Sequence, residues 1–311
     1  MKKLLTCLFL FAFANTLTAQ QDPQYSQYVY NPIVVNPAYA GNRGVASIVG
    51  LHRSQWVGLD GAPRTQTLSF QTPISNSRLG LGLSIVNDAI GPSDETYASV
   101  DFSYTIPAGD QARLSFGLKS GVHVLNVDFR RLNIFDTEDP RVTENIENKL
   151  SPILGLGIYY HTKKFYVGLS SPNLLQTDHF EDRNDSSSAT YIASERRHLF
   201  GTAGYVFDLN DAIKFKPATM VKLVQGAPLQ LDLTASFLFN EKLTLGVAYR
   251  WSAAVTGLVG FQLNEQVLIG FAYDRETTEL GNAIFNDGSY ELFIRFEFFN
   301  SYDRIITPRF F

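Results

Sequence analysis

Apolar and polar residues alternate with a period of two through most of the chain. Every second position between residues 96 and 106 is apolar, namely Ala98, Val100, Phe102, Tyr104 and Ile106. Such alternation puts the apolar side chains on one face of a strand, whereas a helix would space them three and four residues apart. About fourteen segments of about nine to eleven residues show it, the length of a tilted strand that crosses a membrane. The sequence therefore predicts an all-β chain.

The connections between these segments fall into two kinds that alternate. Tight polar turns are predicted near 75–77, 108–110, 162–164, 210–211, 240–241 and 264–265. The other connections are often long and lie near 55–63, 87–95, 126–150, 172–195 and 275–288. Bacterial outer-membrane barrels have tight periplasmic turns and longer outer loops, and a soluble sandwich has no reason to sort its loops in this way. We therefore predict a transmembrane antiparallel β-barrel of the bacterial outer membrane, with about 14 strands and both termini in the periplasm.

The two faces of the predicted strands differ in chemistry. One face is apolar, with aromatic residues near the strand ends, as in the lipid-facing band of an outer-membrane barrel. Charged residues lie on the opposite face, and because a Lys or Arg facing lipid at the midplane costs about 2–4 kcal/mol, we expect them to line the lumen. The strand glycines are expected to relieve curvature and twist rather than to form a ligand site: Gly80, Gly82, Gly155, Gly157, Gly168, Gly246 and Gly270.

Residues 1–19 have the features of a secretory signal peptide. Two lysines precede an apolar run from Leu4 to Phe13, and small and polar residues follow up to Ala19, near which we predict cleavage. The single cysteine, Cys7, lies in this segment, so the mature chain has none for a disulfide or a cysteine-ligated metal. The predicted organisation is a signal peptide (1–19), an N-terminal periplasmic or lumen-plugging segment (20–42), the barrel (43–299) and a C-terminal periplasmic tail (300–311).

Motifs for catalysis or cofactor binding are not found in the sequence. It has no HExxH zinc motif, no P-loop and no GxSxG nucleophile motif, and its five histidines are scattered. The acidic stretch from Asp178 to Asp185 has the composition of a calcium loop but not the spacing of an EF-hand. A formal net charge of −4 argues against a nucleic-acid partner. We predict no catalytic residue, no cofactor and no metal site, and we do not expect an enzyme.

The segment 21–41, QDPQYSQYVYNPIVVNPAYAG, does not alternate and contains four tyrosines and three prolines. Three structures suit it: a plug inside the lumen, a periplasmic segment that awaits a partner, or a loose lead-in to the first strand. Candidate partner-binding or plug residues are Tyr25, Gln27, Tyr28, Asn31, Asn36, Pro37, Tyr39 and Gly41, with Arg53, Gln55 and Trp56 of the RSQWVG block that follows. The candidate cargo loop is the connection 172–195, chosen only because we expect it to be exposed, with His179, Phe180, Glu181 and Arg183.

Five blocks of sequence resemble the PorP/SprF proteins, outer-membrane proteins of the type IX secretion system of Bacteroidetes. The blocks are DPQYSQY at 22–28, NPAYAG at 36–41, RSQWVG at 53–58, GAPRT at 61–65 and TPRFF at 307–311. The resemblance runs from the signal peptide to the last residue. Departures are small: Tyr25 and Tyr30 stand where phenylalanine is also common, and Thr307 stands where serine is usual.

This resemblance implies a non-enzymatic barrel of the secretion and gliding machinery. Such a barrel would support export and cell-surface anchoring of a secreted, adhesin-like protein through the C-terminal domain of that cargo. The implied partners are the cargo, periplasmic and lipoprotein components of the machinery, and outer-membrane lipid. Two alternatives stay open: an outer-membrane transport channel for small solutes, since a barrel of this size has room for a pore, and a hydrolase built on the barrel strands.

Overall fold

The computed structural model describes residues 28, 30–74, 77–131, 145–175, 177–178, 194–195, 197–225, 227–282 and 285–298. Its main strands are β1 (Ala46–Ser54), β2 (Arg64–Pro73), β3 (Leu79–Ile90), β4 (Ser93–Pro107), β5 (Arg113–Val127), β6 (Ile146–His161), β7 (Phe165–Ser171), β10 (His198–Tyr205), β12 (Ile213–Val224), β13 (Gln230–Phe239), β14 (Leu243–Arg250), β15 (Ala254–Gln262), β16 (Val267–Glu276) and β17 (Ser289–Phe298). Three two-residue strands complete the set: β8 (Thr177–Asp178), β9 (Ser194–Glu195) and β11 (Phe207–Asp208).

Fourteen antiparallel strands form a closed barrel, which confirms the predicted fold class. Each main strand pairs with the next one along the chain, and β1 pairs with β17 to close the ring. The short strand β11 continues the line of β10 along β12, while β8 and β9 pair with each other outside the barrel sheet. No helix in the described part of the chain is long and apolar enough to cross a membrane.

The predicted long connection at 87–95 is wrong. Strand β3 runs to Ile90 and β4 begins at Ser93, so only residues 91 and 92 join them. The polar residues that suggested a loop lie in register on the two strands, where Asn87 Nδ2 donates to Asp94 Oδ1 at 2.9 Å. Strands β4, β5 and β6 are likewise 15, 15 and 16 residues long, more than a bilayer crossing needs.

The connections sort the barrel into two different ends. Six tight turns lie at one end, called here the tight-turn end, where β1 also begins and β17 finishes. The other end, called the long-loop end, carries the connections 55–63, 91–92, 128–145, 172–197, 225–229, 251–253 and 277–288. The predicted difference in connection length between the two ends is therefore present, although three of these seven connections have five residues or fewer.

The two faces of the sheet are as the alternation predicts. Large apolar side chains are exposed on the outer face, among them Leu83, Phe102, Leu156, Val247 and Ile294. Polar and charged side chains are buried on the inner face, among them Ser47, Thr67, Asp101, Lys119, Asp232 and Glu291. Opposite charges pair there, with Lys119 Nζ 2.9 Å from Asp101 Oδ1 and Arg250 Nε 3.1 Å from Asp232 Oδ1. Pairing offsets the cost of removing these charges from water.

A buried cluster of three charges lies beside the pair of strands that closes the barrel. Arg53 of β1 donates from Nη1 to Asp274 Oδ2 on β16 at 2.6 Å and to Glu291 Oε1 on β17. All three side chains are almost completely buried. Because buried charges tolerate few alternative partners, the cluster fixes the last two strands against the first.

We expect Arg53→Met to lower the free energy of unfolding by about 3–5 kcal/mol, because two buried carboxylates lose their cation. Urea titration of the barrel in lipid vesicles, followed by heat-dependent gel mobility, measures this change. The control is Lys164→Met, which removes an exposed ion pair of 2.8 Å with Asp208 and is expected to cost less than about 1 kcal/mol. Equal effects of the two substitutions would contradict the role given to Arg53.

Candidate functional site

The N-terminal stretch folds into two short helical turns that the sequence specifies locally. Helix α1 (Pro32–Val35) and the 3₁₀ turn η1 (Pro37–Tyr39) each begin with proline after asparagine. Proline suits the first helical position because it has no N–H to leave unpaired. Asn36 caps η1, since its Oδ1 accepts a hydrogen bond from Ala38 N at 3.0 Å. Residues 28 and 30–42 are called the lumen segment below.

The lumen segment is hydrogen-bonded to strands β2, β4, β6 and β7, which belong to one contiguous arc of the barrel. The bonds run from Ser69 Oγ of β2 to Asn31 Oδ1 (2.8 Å), from Ser103 Oγ of β4 to the carbonyl of Ala40 (2.6 Å), from Asn36 Nδ2 to the carbonyl of Ile158 on β6 (3.1 Å), and from Ser170 Oγ of β7 to the carbonyl of Val35 (2.9 Å). These neutral bonds satisfy backbone and amide groups that would otherwise be buried without partners.

Apolar side chains attach the segment to further strands. The ring of Tyr30 lies 4.2 Å from that of Phe293 on β17, in a buried cluster that includes Leu51 of β1, Met220 of β12 and Leu268 of β16. Tyr39 meets Tyr159 of β6 edge-on at 5.4 Å. Together with the hydrogen bonds, these contacts connect the lumen segment both to the arc of strands β2–β7 and to the arc formed by β12, β16, β17 and β1.

Inward-facing glycines give the segment its space. A Cβ atom added at Gly117 would lie 2.0 Å from the backbone nitrogen of Ala38, and one added at Gly80 would lie 2.2 Å from the carbonyl oxygen of Ala40. Added Cβ atoms at the other three would meet the segment as well: Gly82 at 2.2 Å from Ile33, Gly157 at 2.1 Å and Gly168 at 2.9 Å from Asn36. Four of the predicted glycines, Gly80, Gly82, Gly157 and Gly168, are therefore places where the lumen segment packs on the wall; the predicted role of the strand glycines in curvature stays a prediction.

The segment leaves the lumen at the tight-turn end through a set of polar contacts. Asn42 Nδ2 donates to Ser115 Oγ at 3.0 Å, and Asn42 Oδ1 lies 3.1 Å from Nε2 of His161. Arg43 Nε donates to Glu297 Oε1 on β17 at 2.5 Å. Gly41, with φ of 70°, supplies the left-handed turn into β1 that other residues rarely adopt. These contacts fix the segment to the wall where it joins the first strand.

The structure brings together most of the predicted N-terminal residues. Tyr28, Asn31, Asn36, Pro37 and Tyr39 are buried in the lumen segment, and Gly41 is its last residue but one. Sequence reasoning missed Ile33, which is completely buried, and Asn42. The repeated Asn-Pro pair was the available signal, since asparagine before proline is typical of a capped helical start.

Tyr25 and Gln27 lie outside the described residues, as do His179, Phe180, Glu181 and Arg183, the signal peptide and the tail 300–311.

The residues predicted in the RSQWVG block lie elsewhere, at the long-loop end. Arg53 belongs to the buried charge cluster of the wall, and Gln55 N donates to the carbonyl of Pro63 at 3.0 Å across the β1–β2 connection. Trp56 Nε1 donates to Glu276 Oε1 at the end of β16, and Trp56 N donates to Ser289 Oγ at 3.2 Å. The block therefore joins two loops and does not contact the lumen segment through these bonds.

Backbone hydrogen bonds continue this junction between loops. Val57 N donates to the carbonyl of Gly288 at 2.9 Å, and Asp287 N donates back to the carbonyl of Val57 at 2.8 Å. On the other side, Gly91 N in the β3–β4 turn donates to the carbonyl of Gly61 at 2.9 Å. Three neighbouring connections at the long-loop end are thus held together as one rim.

An exposed ion pair at the long-loop end shifts the pKa of one carboxyl group. In the connection after β5, Arg130 Nε donates to Asp128 Oδ1 at 2.8 Å, and this hydrogen bond holds the pKa of the Asp128 carboxyl below its usual value. Among the described residues, no group of three or more histidine, cysteine, aspartate or glutamate side chains could hold a metal ion.

Comparison with known proteins gives one family and several structures. The family model described as type IX secretion system membrane protein PorP/SprF matches residues 17–296. Among solved structures, the chain is similar to Omp33 of Acinetobacter baumannii at 10% identity, with a TM-score of 0.48 and coverage of 82% of this chain and 98% of that one. It is also similar to the CymD monoaromatic hydrocarbon channel at 11% identity, with a TM-score of 0.49 and coverage of 89% and 94%. The comparison with curated proteins gives no match.

The family match confirms the resemblance that the sequence blocks indicate. It spans the lumen segment and all of the barrel up to the last strand. A closed barrel with an apolar outer face satisfies all its backbone groups internally, which a lipid bilayer requires. The protein is therefore located in the outer membrane. The chain belongs to the PorP/SprF family of type IX secretion system membrane proteins.

Proposed function

We propose that the protein is a docking barrel of the type IX secretion and gliding machinery. In this role it supports export of a secreted, adhesin-like protein and retains it at the cell surface through the C-terminal domain of that cargo. Family membership supports a place in this machinery. The lumen segment also supports the proposal. A barrel whose interior is occupied by its own chain cannot serve as an open pore, so its partners must bind at one of its two ends.

Closure of the barrel is the first part of this proposal. The lumen segment is bonded to β2, β4, β6 and β7 and packs against β1 and β17. Neutral hydrogen bonds and close packing on glycine hold it against the wall. Solute transport, the alternative function, would require this segment to leave.

Orientation is the second part. The tight-turn end is proposed to face the periplasm, as it does in bacterial outer-membrane barrels. The tight turns and the end of β17 are then accessible to periplasmic and lipoprotein components of the machinery.

The long-loop end is proposed to hold the cargo. Two aromatic side chains are largely exposed there, Trp251 at 61% and Phe285 at 68%. Exposed aromatic side chains favour protein binding because they bury a large area on contact and lose little side-chain entropy. The connection 172–197 is at the same end, and the predicted cargo residues His179, Phe180, Glu181 and Arg183 in it stay a prediction.

A conductance measurement tests closure. The wild-type barrel in planar lipid bilayers is expected to show no steady single-channel conductance. Gly117→Ala is expected to open it, because the new Cβ would lie 2.0 Å from the backbone nitrogen of Ala38 and displace the lumen segment. Gly201→Ala is the matched control, since a Cβ there meets nothing within 4 Å, and it is expected to stay silent.

Deletion of residues 21–41 provides the second variant in this experiment, because it removes most of the lumen segment outright. A folded deletion variant should conduct steadily. Closure by the segment would be refuted by a steadily conducting wild type, or by a folded deletion variant that stays as silent as Gly201→Ala.

Affinity purification from native membranes tests cargo retention. The wild type is expected to recover a secreted protein that carries a type IX C-terminal domain. The double substitution Trp251→Ser and Phe285→Ser should reduce this recovery by at least about tenfold if the two aromatics are anchors of the interface.

The matched control for the cargo experiment is Leu209→Ser with Leu263→Ser. These two residues are exposed at 55% and 54% in turns at the tight-turn end, so the control removes similar apolar surface from the opposite side. It is expected to leave cargo recovery unchanged. Failure of the wild type to recover cargo while the cargo is expressed, or an equal loss in both double variants, would count against the proposal.

A further inference from the structure

A groove of about 520 Å³ lies on the outer face of the barrel wall, where β1 meets β2 and β17, and it is called the outer groove here. Gly50 of β1 faces outward at its centre, directly opposite Leu68 of β2 on one side and Ile294 of β17 on the other. Both neighbours are about half exposed, so they project beyond the glycine as two apolar walls. The groove therefore exists because Gly50 has no side chain between them.

Polar side chains border the outer groove toward the long-loop end. His52, Gln66 and Asn87 form one row across β1, β2 and β3, and all three line the groove. Arg64 is the next outward-facing residue of β2 and is exposed. The outer face of an outer-membrane barrel is apolar only over the hydrocarbon layer. We infer from the change to polar residues that the outer groove extends from the hydrocarbon layer to the level of the lipid headgroups.

The polar border offers hydrogen-bond donors and one permanent positive charge. The guanidinium of Arg64 has five N–H donors in a planar fork, a geometry that fits phosphate oxygens. The amide of Gln66, one outward-facing position closer to the groove, adds two more N–H donors. An apolar groove with such a border suits a ligand that has an apolar chain and an anionic head.

The carboxylates at this end of the barrel are placed away from the groove. No aspartate or glutamate of the described chain lines it. Asp94 of β4 is in the same row as Arg64 but two strands away, a backbone separation of about 10 Å, and Asp60 is in the connection 55–63. The acidic stretches 136–144 and 178–185 belong to the connections β5–β6 and β7–β10, which begin at least three strands from β2 around the ring.

We propose that the outer groove binds one membrane lipid with an anionic phosphate headgroup. One acyl chain of the lipid lies on Gly50 between Leu68 and Ile294, and its phosphate accepts hydrogen bonds from Arg64 and Gln66. The outer face of an outer-membrane barrel is surrounded by lipid, so the ligand is always at hand, and charge-assisted hydrogen bonds select the headgroup. In the proposed orientation this lipid belongs to the outer leaflet. The site does not depend on cargo retention.

Native mass spectrometry of the purified full-length barrel in a non-ionic detergent tests the site, with dimyristoyl phosphatidic acid as the probe. Dimyristoyl phosphatidylcholine has the same acyl chains, but its choline offsets the charge of the phosphate. The wild type is expected to bind one phosphatidic acid saturably and at least about fivefold more tightly than phosphatidylcholine. Glycerol 3-phosphate, which has the phosphate without acyl chains, is expected not to bind.

One pair of variants tests the headgroup contact. Arg64→Gln should abolish the preference for phosphatidic acid over phosphatidylcholine, because the phosphate loses its cation. Arg78→Gln is the matched control, since Arg78 is an exposed arginine in the turn before β3 at the tight-turn end. This control is expected to keep the preference of the wild type.

A second pair of variants tests the groove itself. Gly50→Val fills it and should weaken binding of phosphatidic acid at least about fivefold. The added Cβ meets only Ile294 Cγ2 within 4 Å, at 3.7 Å, so the wall is not disturbed. Gly257→Val is the matched control, because Gly257 is an outward-facing glycine of β15 at which a Cβ meets nothing within 4 Å. It is expected to bind phosphatidic acid like the wild type.

Folding of each variant is checked by heat-dependent gel mobility, and the two pairs are independent, so either one can refute the proposal if a variant of the other does not fold. The proposal is overturned if the wild type binds the two lipids equally, if folded Arg64→Gln keeps the preference, or if folded Gly50→Val binds phosphatidic acid like Gly257→Val. It is also overturned if the spectrum shows a dimer that Gly50→Val dissociates, since a second copy of the chain would then occupy the outer groove.

Discussion

The interior of a closed barrel must be filled by protein or contain water, and most features of this structure follow from that constraint. A barrel of about eight strands is narrow enough for its own side chains to fill, whereas barrels of about sixteen strands leave an aqueous channel. Fourteen strands lie between these cases. Here the inner face uses long charged side chains in ion pairs, and a non-strand segment occupies what they leave. The buried ion pairs and the lumen segment together fill the interior, and the inward glycines provide the space in which the segment packs.

Two kinds of interaction share this interior, and they stabilise different things. Charged pairs such as Lys119 with Asp101 join strand to strand, so they hold the wall. The lumen segment is attached mostly by neutral bonds such as Ser69 with Asn31 and by packing on glycine. Charged pairs are costly to break once buried, while each neutral bond contributes about 1 kcal/mol. The wall and its filling therefore differ in how firmly they are held.

The sequence predicts those parts of the structure in which residue types recur at a regular spacing, and it leaves the other parts open. Alternation predicted the strands and their two faces because a strand puts neighbouring residues on opposite sides. It failed at 87–95, where polar residues such as Asn87, Asp88 and Asp94 are common in both strands of the hairpin, so the sequence there has the composition of a loop. The segment 21–41 has no period, and three structures therefore stayed open for it.

The glycines show a second limit. Their positions on the inner face could be derived from the alternation, but Gly117 matters because Ala38 packs on it, 79 positions earlier in the chain. Nothing in a single sequence records such a contact between distant segments. Two small residues on one strand, such as Gly80 and Gly82, indicate only that space is needed. What occupies the space has to come from the fold.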